Sequence, residues 1–179
     1  MNHIHIVSPG VKPGRADPPE TLGEKRLAFF GLIDIDAGPP AWLSAFRTLS
    51  KRKPGVRLFI GQGLDDPLYA LSLGQRLREW DVSEKVRVEG RVEFPAEWLA
   101  DKDFIISETG PAAPPFWLLT AMAAGVGPLL WGRPSPESFC LPGRHWETEE
   151  ELDEIVFNES PGTRGFFRDL VMEIGRAHV

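Results

Sequence analysis

Cysteine is nearly absent from this 179-residue sequence, which contains Cys140 and no other thiol. A single cysteine forms no internal disulfide, and no cysteines and histidines stand together at the spacing of a zinc site. The basic and apolar leader of a secreted protein is also missing at the N-terminus. We therefore expect a cytoplasmic protein without a metal or other cofactor, in which Cys140 is a small buried side chain.

Basic residues are also scarce, with 20 lysines and arginines against 26 acidic residues and a net charge of −6. Nucleic-acid surfaces need clustered cations to bind phosphates, and the one dense basic run covers only residues 51–53. Charged residues are missing from residues 109–132, a stretch long enough to span a bilayer. Prolines and glycines divide this stretch into a short helix and a short strand. We therefore expect a soluble chain that does not bind nucleic acid.

Apolar β-rich runs alternate with helical patterns along the chain, which is typical of βαβ units and a parallel sheet. The helix predicted at residues 115–124 is apolar on all sides, so we expect it to be buried. The fold class is therefore α/β, with a Rossmann-like doubly wound parallel sheet. Strands are predicted at residues 3–7, 26–33, 56–61, 85–92, 104–107 and 126–131, and the other helices at residues 39–50, 67–80, 95–100, 149–158 and 163–173.

The chain divides into three parts. Residues 1–20 are predicted to be an interdomain strand and linker, because a proline-rich stretch follows the first strand. Residues 21–173 are predicted to form one Rossmann-like domain. Residues 174–179 read Ile-Gly-Arg-Ala-His-Val, which resembles a common sequencing adaptor translated in one frame. We expect this last part to be read-through and the domain to be truncated.

Five motifs in the correct order resemble the C-terminal half of retaining GT-B glycosyltransferases of family four, also called glycosyl transferases group 1. The most specific is Leu-Leu-Thr-Ala-Met-Ala-Ala-Gly, which is similar to the family's Leu-Leu-Glu-Ala-Met-Ala-x-Gly. The resemblance implies one half of a GT-B fold, whose N-terminal, acceptor-binding domain is missing here. The motifs lie at residues 8–11, 29–32, 58–63, 86–92 and 118–125.

The resemblance implies that a nucleotide sugar binds at the carboxyl ends of the strands, where ligands lie in doubly wound folds. Gly31, Gly61 and Gly63 would let a nucleotide approach the backbone closely. Glycines also serve tight turns without any ligand, so both interpretations stay open. The other positions that match the donor site are Val92, Gly110, Ala112, Ala113, Phe116 and Thr120.

The charged donor-site residues of the family are replaced in this sequence. Its Arg and Lys, which neutralise the diphosphate, correspond to Leu32 and Ala37, and its two glutamates correspond to Ala112 and Thr120. Hydrogen bonds of charged groups contribute about 1.5–3 kcal/mol each, so four lost contacts remove roughly 6–12 kcal/mol. Micromolar binding amounts to about 8 kcal/mol. Binding of a donor as in the family therefore requires replacement contacts.

Three charged residues are candidates for such contacts. Glu108 ends a strand at the ligand side of the sheet and is the candidate catalytic residue, although it stands twelve residues before Thr120 instead of eight. A bulged loop would have to bring its carboxylate to the sugar; the alternative is a solvated glutamate. Arg91 or Arg133 would supply phosphate charge, whereas exposed arginines usually serve only the surface.

His145 and Trp146 form an aromatic pair that has two interpretations. The pair would either stack on a base or sugar, or pack its own loop, and packing is favoured because buried aromatics mostly serve cores. The acidic residues 147–151 stand at the start of a predicted helix, where the helix dipole favours them without any further function.

Two functions remain open. The first is the nucleotide-sugar-binding half of a divergent glycosyltransferase, which transfers a sugar to a saccharide or lipid-linked acceptor and is inactive as a fragment. The second is a non-catalytic, glycosyltransferase-like scaffold or partner-binding domain in polysaccharide biosynthesis. In either case we expect membrane association only through the missing parts. A dinucleotide-binding protein is disfavoured, because no Gly-x-Gly-x-x-Gly follows the first strand.

Overall fold

A computed structural model describes residues 24–62, 66–93, 95–108, 116–134, 141–158 and 163–176 of the protein. In this part of the chain strands and helices alternate from one end to the other. The strands are β1 (Lys25–Phe30), β2 (Val56–Gln62), β3 (Val86–Arg91), β4 (Phe104–Glu108), β5 (Gly127–Trp131) and β6 (His145–Trp146). The helices are α1 (Ala41–Arg52), α2 (Pro67–Glu79), α3 (Pro95–Leu99), α4 (Phe116–Ala123), α5 (Glu149–Phe157) and α6 (Thr163–Arg176).

The six strands form one sheet in the order β3-β2-β1-β4-β5-β6, and every neighbouring pair is parallel. The chain first builds the sheet outward from β1 to β3 and then returns to the other side of β1 with β4. Phe29 of β1 pairs with Ile60 of β2 on one side and with Ile106 of β4 on the other. The strand order therefore reverses between β1 and β4, and doubly wound folds have a crevice at such a switch point. The predicted α/β, Rossmann-like fold is confirmed.

Helices cover both faces of the sheet, because successive side chains of each strand point to opposite faces. On β1, Leu27 and Phe29 pack with α1, α2 and α5, whereas Ala28 packs with α3, α4 and α6. The first layer buries Trp42 and Phe46 of α1. Two apolar cores therefore hold the sheet between them, and its carboxyl edge is left to the connecting loops.

The expected elements agree with the observed ones to within a few residues, with three differences. The first strand ends at Phe30, because Gly31 turns the backbone to a φ of +151°. The expectation that α4 is buried on all sides is wrong, since Phe116 is 64% exposed at its first residue. A short strand, β6, was not expected.

Several expected features lie outside the described residues. They include the strand at residues 3–7, the linker up to residue 20 and Cys140. Helix α6 extends to Arg176, three residues into the segment that resembles an adaptor. Among the described residues, no helix is long and apolar enough to cross a membrane.

Candidate functional site

The carboxyl edge of the sheet is defined here as the last residues of β1 to β4 and the loops that follow them. Gly31 and Gly61 lie side by side at this edge, where the Gly31 N–H donates to the Gly61 carbonyl at 3.0 Å. Gly31 has a φ of +151°, which side-chain-bearing residues rarely adopt. The backbone conformation therefore requires a glycine at position 31, whether or not a ligand binds there.

Gly61 has a different reason to be glycine. A Cβ atom at this position would come within 2.8 Å of Val92 Cγ2 and 3.0 Å of the Trp98 ring. The close approach of β2 to α3 therefore leaves no room for a side chain. This packing differs from both interpretations made from the sequence, the close approach of a nucleotide and a tight turn, and it is sufficient to explain the glycine.

An aromatic cluster lies beneath the carboxyl edge on the α3 and α4 side of the sheet. The Phe30 ring lies 6.3 Å from that of Trp98 and 6.5 Å from that of Trp117, centroid to centroid. Close to them, at the start of α4, Phe116 is exposed. The Thr120 hydroxyl donates to the Phe116 carbonyl at 2.9 Å, so its proton is already used within the helix.

The loop after β1, residues 31–40, carries negative charge where the resemblance implies cations. Leu32 and Ala37 are both exposed, and the exposed Asp34 and Asp36 stand between them. The Asp34 carboxylate accepts hydrogen bonds from the N–H groups of Asp36 and Ala37, at 3.0 and 3.2 Å. Two amides of the loop therefore already bind a carboxylate of the chain.

Tyr69 of α2 fixes the same loop from the other side. Its hydroxyl accepts from the Ile33 N–H at 2.7 Å and donates to the Ile33 carbonyl at 2.9 Å. Burial raises the pKa of Tyr69, its hydrogen bond with Ile33 acts in the opposite direction, and the charge of Asp34 raises that pKa further. The loop is therefore held by internal contacts, and its negative charge acts on neighbouring groups.

The three charged candidates have different surroundings. Arg133 pairs with Glu147 at 2.7 Å, and that hydrogen bond and charge raise its pKa. Arg91 is exposed at the end of β3. Glu108 is exposed at the end of β4, and strand alternation directs it to the α1 face, opposite to Phe30. The described residues thus bring Glu108 to the carboxyl edge but not to the aromatic cluster.

An open cavity of about 570 Å³ lies between β3 and α3 and is called the β3–α3 cavity below. It contains Val92, one of the positions expected to contact the donor. Residues 87–89 and 91–93 line it from the strand side, and Glu97 and Trp98 line it from α3.

A buried lysine supports this cavity and had no signal in the sequence. Lys102 is only 3% exposed, and its ammonium donates to Asp101 at 2.5 Å and to the Trp98 carbonyl at 3.2 Å. The same group lies 4.5 Å from the Phe59 ring centroid. The indole N–H of Trp98 donates to the Glu89 carboxylate. Asp-Lys-Asp at residues 101–103 has the composition of an exposed turn, so only the fold reveals this cluster.

The aromatic pair of β6 serves packing, as the favoured interpretation expected. Trp146 is 1% exposed and meets the Trp131 ring edge-on at 4.7 Å. The His145 Nδ1 atom lies 3.0 Å from the Gly132 carbonyl oxygen. Four expected donor-site positions lie outside the described residues: Gly63, Gly110, Ala112 and Ala113.

Neither a protein-family model nor a curated protein matches this sequence. Solved structures with the same fold do exist. An O-GlcNAc transferase mutant of Thermobaculum terrenum is 19% identical with a TM-score of 0.59, covering 90% of this chain and 35% of its own. Anabaena HepE in complex with UDP-glucose is 14% identical with a TM-score of 0.62, covering 87% of this chain and 47% of its own.

A third structure is itself one domain, the C-terminal domain of a glycosyl transferase group 1 family protein from Francisella tularensis. It is 17% identical with a TM-score of 0.60, and the match covers 84% of this chain and 86% of that domain. The chain therefore spans less than half of the first two structures but most of the third. The described residues therefore have the fold of the C-terminal domains of GT-B, group 1 glycosyltransferases.

Proposed function

We propose that this domain is the nucleotide-sugar-binding half of a divergent glycosyltransferase that transfers a sugar to a saccharide or lipid-linked acceptor. The observation that carries the proposal is the switch point of the sheet between β1 and β4, where Gly31 leaves the end of β1 without a side chain. Ligands of doubly wound folds bind at this place. HepE, which has the same fold, is in complex with UDP-glucose.

In this proposal the donor is bound by backbone groups and neutral hydrogen bonds rather than by charge. The base lies against the carboxyl end of β3 near Val92, and Glu108, exposed at the carboxyl end of β4, faces the sugar. Neither Leu32 nor Ala37 neutralises phosphate, so binding is weaker than micromolar. Transfer requires the acceptor-binding domain, because that domain forms the other wall of the cleft. No metal or other cofactor takes part.

Calorimetric titration of the full-length protein with UDP, GDP and ADP tests the binding step. We expect one of these ligands to release measurable heat. Glu108→Gln, which keeps the size of the side chain, should leave that binding intact and abolish transfer if Glu108 acts on the sugar. Absence of heat with all three ligands would refute the proposal.

A second candidate function is a non-catalytic scaffold or partner-binding domain of the same fold. The acidic loop favours it, since Asp34 and Asp36 occupy the stretch where the resemblance implies cations for a diphosphate. Transfer from any nucleotide sugar by the full-length protein, abolished by Glu108→Gln, would exclude the scaffold.

A further inference from the structure

We propose that the amino edge of the sheet binds a phosphate group, which is held between Arg57 and Lys85. The amino edge is defined here as the first residues of β1, β2 and β3 together with residues 53–55, which join α1 to β2. It lies at the opposite end of the strands from the carboxyl edge, and neither cation lines the β3–α3 cavity. Phosphate binding there goes beyond the proposed function, which concerns the carboxyl edge.

The two cations meet because their strands are neighbours. Leu58 of β2 pairs with Val86 of β3, and Arg57 and Lys85 each stand one residue earlier. The Arg57 guanidinium donates to the Pro54 carbonyl at 2.8 Å, and the Lys85 ammonium donates to the same oxygen at 3.0 Å. One backbone oxygen therefore fixes two positive groups next to each other before any ligand arrives.

Neither of these two cations pairs with a carboxylate in the part of the chain that the structure describes. Other cations at the same edge do. Arg26 pairs with Asp101 at 2.7 Å, and Lys53 pairs with Asp153 at 3.6 Å. The charges of Arg57 and Lys85 are thus left for a ligand to neutralise.

The surroundings of the pair are positive, although the chain has a net charge of −6. Lys25, whose N–H donates to the Gly55 carbonyl at 3.1 Å, adds a third cation to the edge. The exposed Glu84 precedes Lys85 and offsets one of these charges. An anion placed at the pair therefore meets net attraction and relieves the repulsion between two like charges.

A phosphate group fits this arrangement better than an acidic peptide does. The carbonyls of Pro54 and Val56 engage only the Nη1 atom of Arg57, which leaves Nε and Nη2 for a ligand among the described contacts. A guanidinium binds phosphate oxygens in pairs, and an ammonium adds a point charge. The two groups converge on one point, so a compact anion with several oxygens reaches both, whereas peptide carboxylates are spaced along a chain.

Titration of the ¹⁵N-labelled protein with inorganic phosphate, at an ionic strength kept constant with sodium chloride, tests this inference. We expect the amides of Gly55, Arg57 and Lys85 to shift until they saturate, while those of Gly31 and Asp36 at the carboxyl edge stay unchanged. Shifts at the carboxyl edge alone, or no saturable shift, would overturn it.

Cosedimentation with vesicles distinguishes the two sources of such a group. Phosphatidylcholine vesicles that contain phosphatidic acid present a phosphomonoester on a lipid, and vesicles of phosphatidylcholine alone are the control. Retention by phosphatidic acid only, together with the shifts caused by phosphate, assigns the site to a lipid headgroup. The same shifts without retention assign it to a soluble phosphorylated molecule.

Two double variants locate the site. Arg57→Gln with Lys85→Gln keeps groups that can donate to Pro54 but removes both charges, and it should weaken phosphate binding about tenfold or more. Arg78→Gln with Arg168→Gln makes the same charge change at exposed positions of α2 and α6 and should leave the affinity unchanged.

Lys85→Gln alone leaves the hydrogen bond between Arg57 and Pro54 in place, so it keeps the test valid if the double variant fails to fold. We expect it to weaken phosphate binding about threefold. Unchanged affinity in this variant, or equal losses in both double variants, would also overturn the inference. Because the shifted amides identify the edge, failure here leaves the nucleotide titrations to decide the proposed function separately.

Discussion

Gly61 lies where β2 passes close to α3, and the lack of space for a side chain there predicts how a substitution changes the stability of the fold. Gly61→Ala forces a Cβ atom to within 2.8 Å of Val92 Cγ2 and 3.0 Å of Trp98. We expect the free energy of unfolding to fall by about 1–3 kcal/mol, the usual cost of overpacking. Urea denaturation followed by tryptophan fluorescence measures this change.

Gly74 on α2 provides the control for that substitution. An added Cβ there meets only the end of the Arg78 side chain, at 4.0 Å. Gly74→Ala should therefore stabilise the protein by about 0.5–1 kcal/mol, because alanine is the better helix residue. If both alanine variants unfolded at the same urea concentration, the close packing at Gly61 would be contradicted.

Tyr69 is the only tyrosine of the sequence, so its titration can be followed by itself. Burial raises its pKa, and the charge of Asp34 adds to this effect. The folded state therefore keeps the phenol proton more tightly than the unfolded chain, whose tyrosine titrates near pH 10. This contribution to stability is complete below about pH 10 and is lost as the pH rises through the folded pKa.

The absorbance of tyrosinate should therefore appear at a higher pH in the folded protein than in urea. Tyr69→Phe removes both hydrogen bonds to Ile33, and we expect it to destabilise the fold by about 1–3 kcal/mol at neutral pH. The variant should also lose the part of the alkaline decline that comes from this group. An identical titration curve in folded and unfolded protein would contradict the prediction.

Individual residues of the candidate site were predictable only in part. The glycines at the strand ends were identified because they belong to the motifs of the GT-B resemblance, at the ends of apolar, β-rich strands. The Lys102 cluster was not, since its burial depends on contact with Phe59, which is distant in sequence. The composition of the sequence around Lys102 does not reveal such contacts.

The start of α5 has a full capping box, which gives a prediction at the scale of one element. The Glu151 N–H donates to the Thr148 hydroxyl, and the Thr148 N–H donates to the Glu151 carboxylate, both at 3.2 Å. Thr148→Ala should therefore cost about 1 kcal/mol of stability, whereas Thr148→Ser should cost little. Thermal unfolding followed by circular dichroism distinguishes them, and equal losses would contradict the role of the cap.

Elements of five or more residues were predictable, and the two-residue strand β6 was not. The strands β1 to β5 carry apolar runs, and α1, α2, α5 and α6 each have an apolar stripe, so their patterns are visible in the sequence. The two residues of β6 are too few to form a pattern, and they pair only because β5 offers its free edge. The exposed start of α4 was missed, since composition does not show which part of an apolar helix lies at the carboxyl edge.

At the scale of the whole molecule, the fold agrees with the resemblance, but the charges differ from those that the resemblance implies. The chain has a net charge of −6, and its carboxyl edge carries Asp34, Asp36 and Glu108 in exposed positions. Sequence resemblance placed this edge correctly, because glycines and apolar strands determine the fold. The ligand that binds at this edge depends on the charges of the side chains there, and these charges are not the ones that bind a diphosphate in the family.

Introducing the two cations that the resemblance implies tests directly how this difference in charge affects ligand binding. Leu32 is 53% exposed and Ala37 is also exposed, so Leu32→Arg with Ala37→Lys should be tolerated. We expect the double variant to bind UDP about tenfold or more tightly than the parent, because two charged hydrogen bonds become available. Its affinity should fall with added salt, whereas that of the parent should change little, since screening weakens attraction between opposite charges.

Phe166→Arg with Met172→Lys adds the same two charges at exposed positions of α6, which packs on the other face of the sheet from Ile33 of the loop. Calorimetry with UDP at low and high salt compares the two variants with the parent. If the charges act through the loop after β1, only Leu32→Arg with Ala37→Lys gains both affinity and salt dependence. An equal gain from the control would mean that net charge alone governs binding, and would contradict the position of the diphosphate that the resemblance implies.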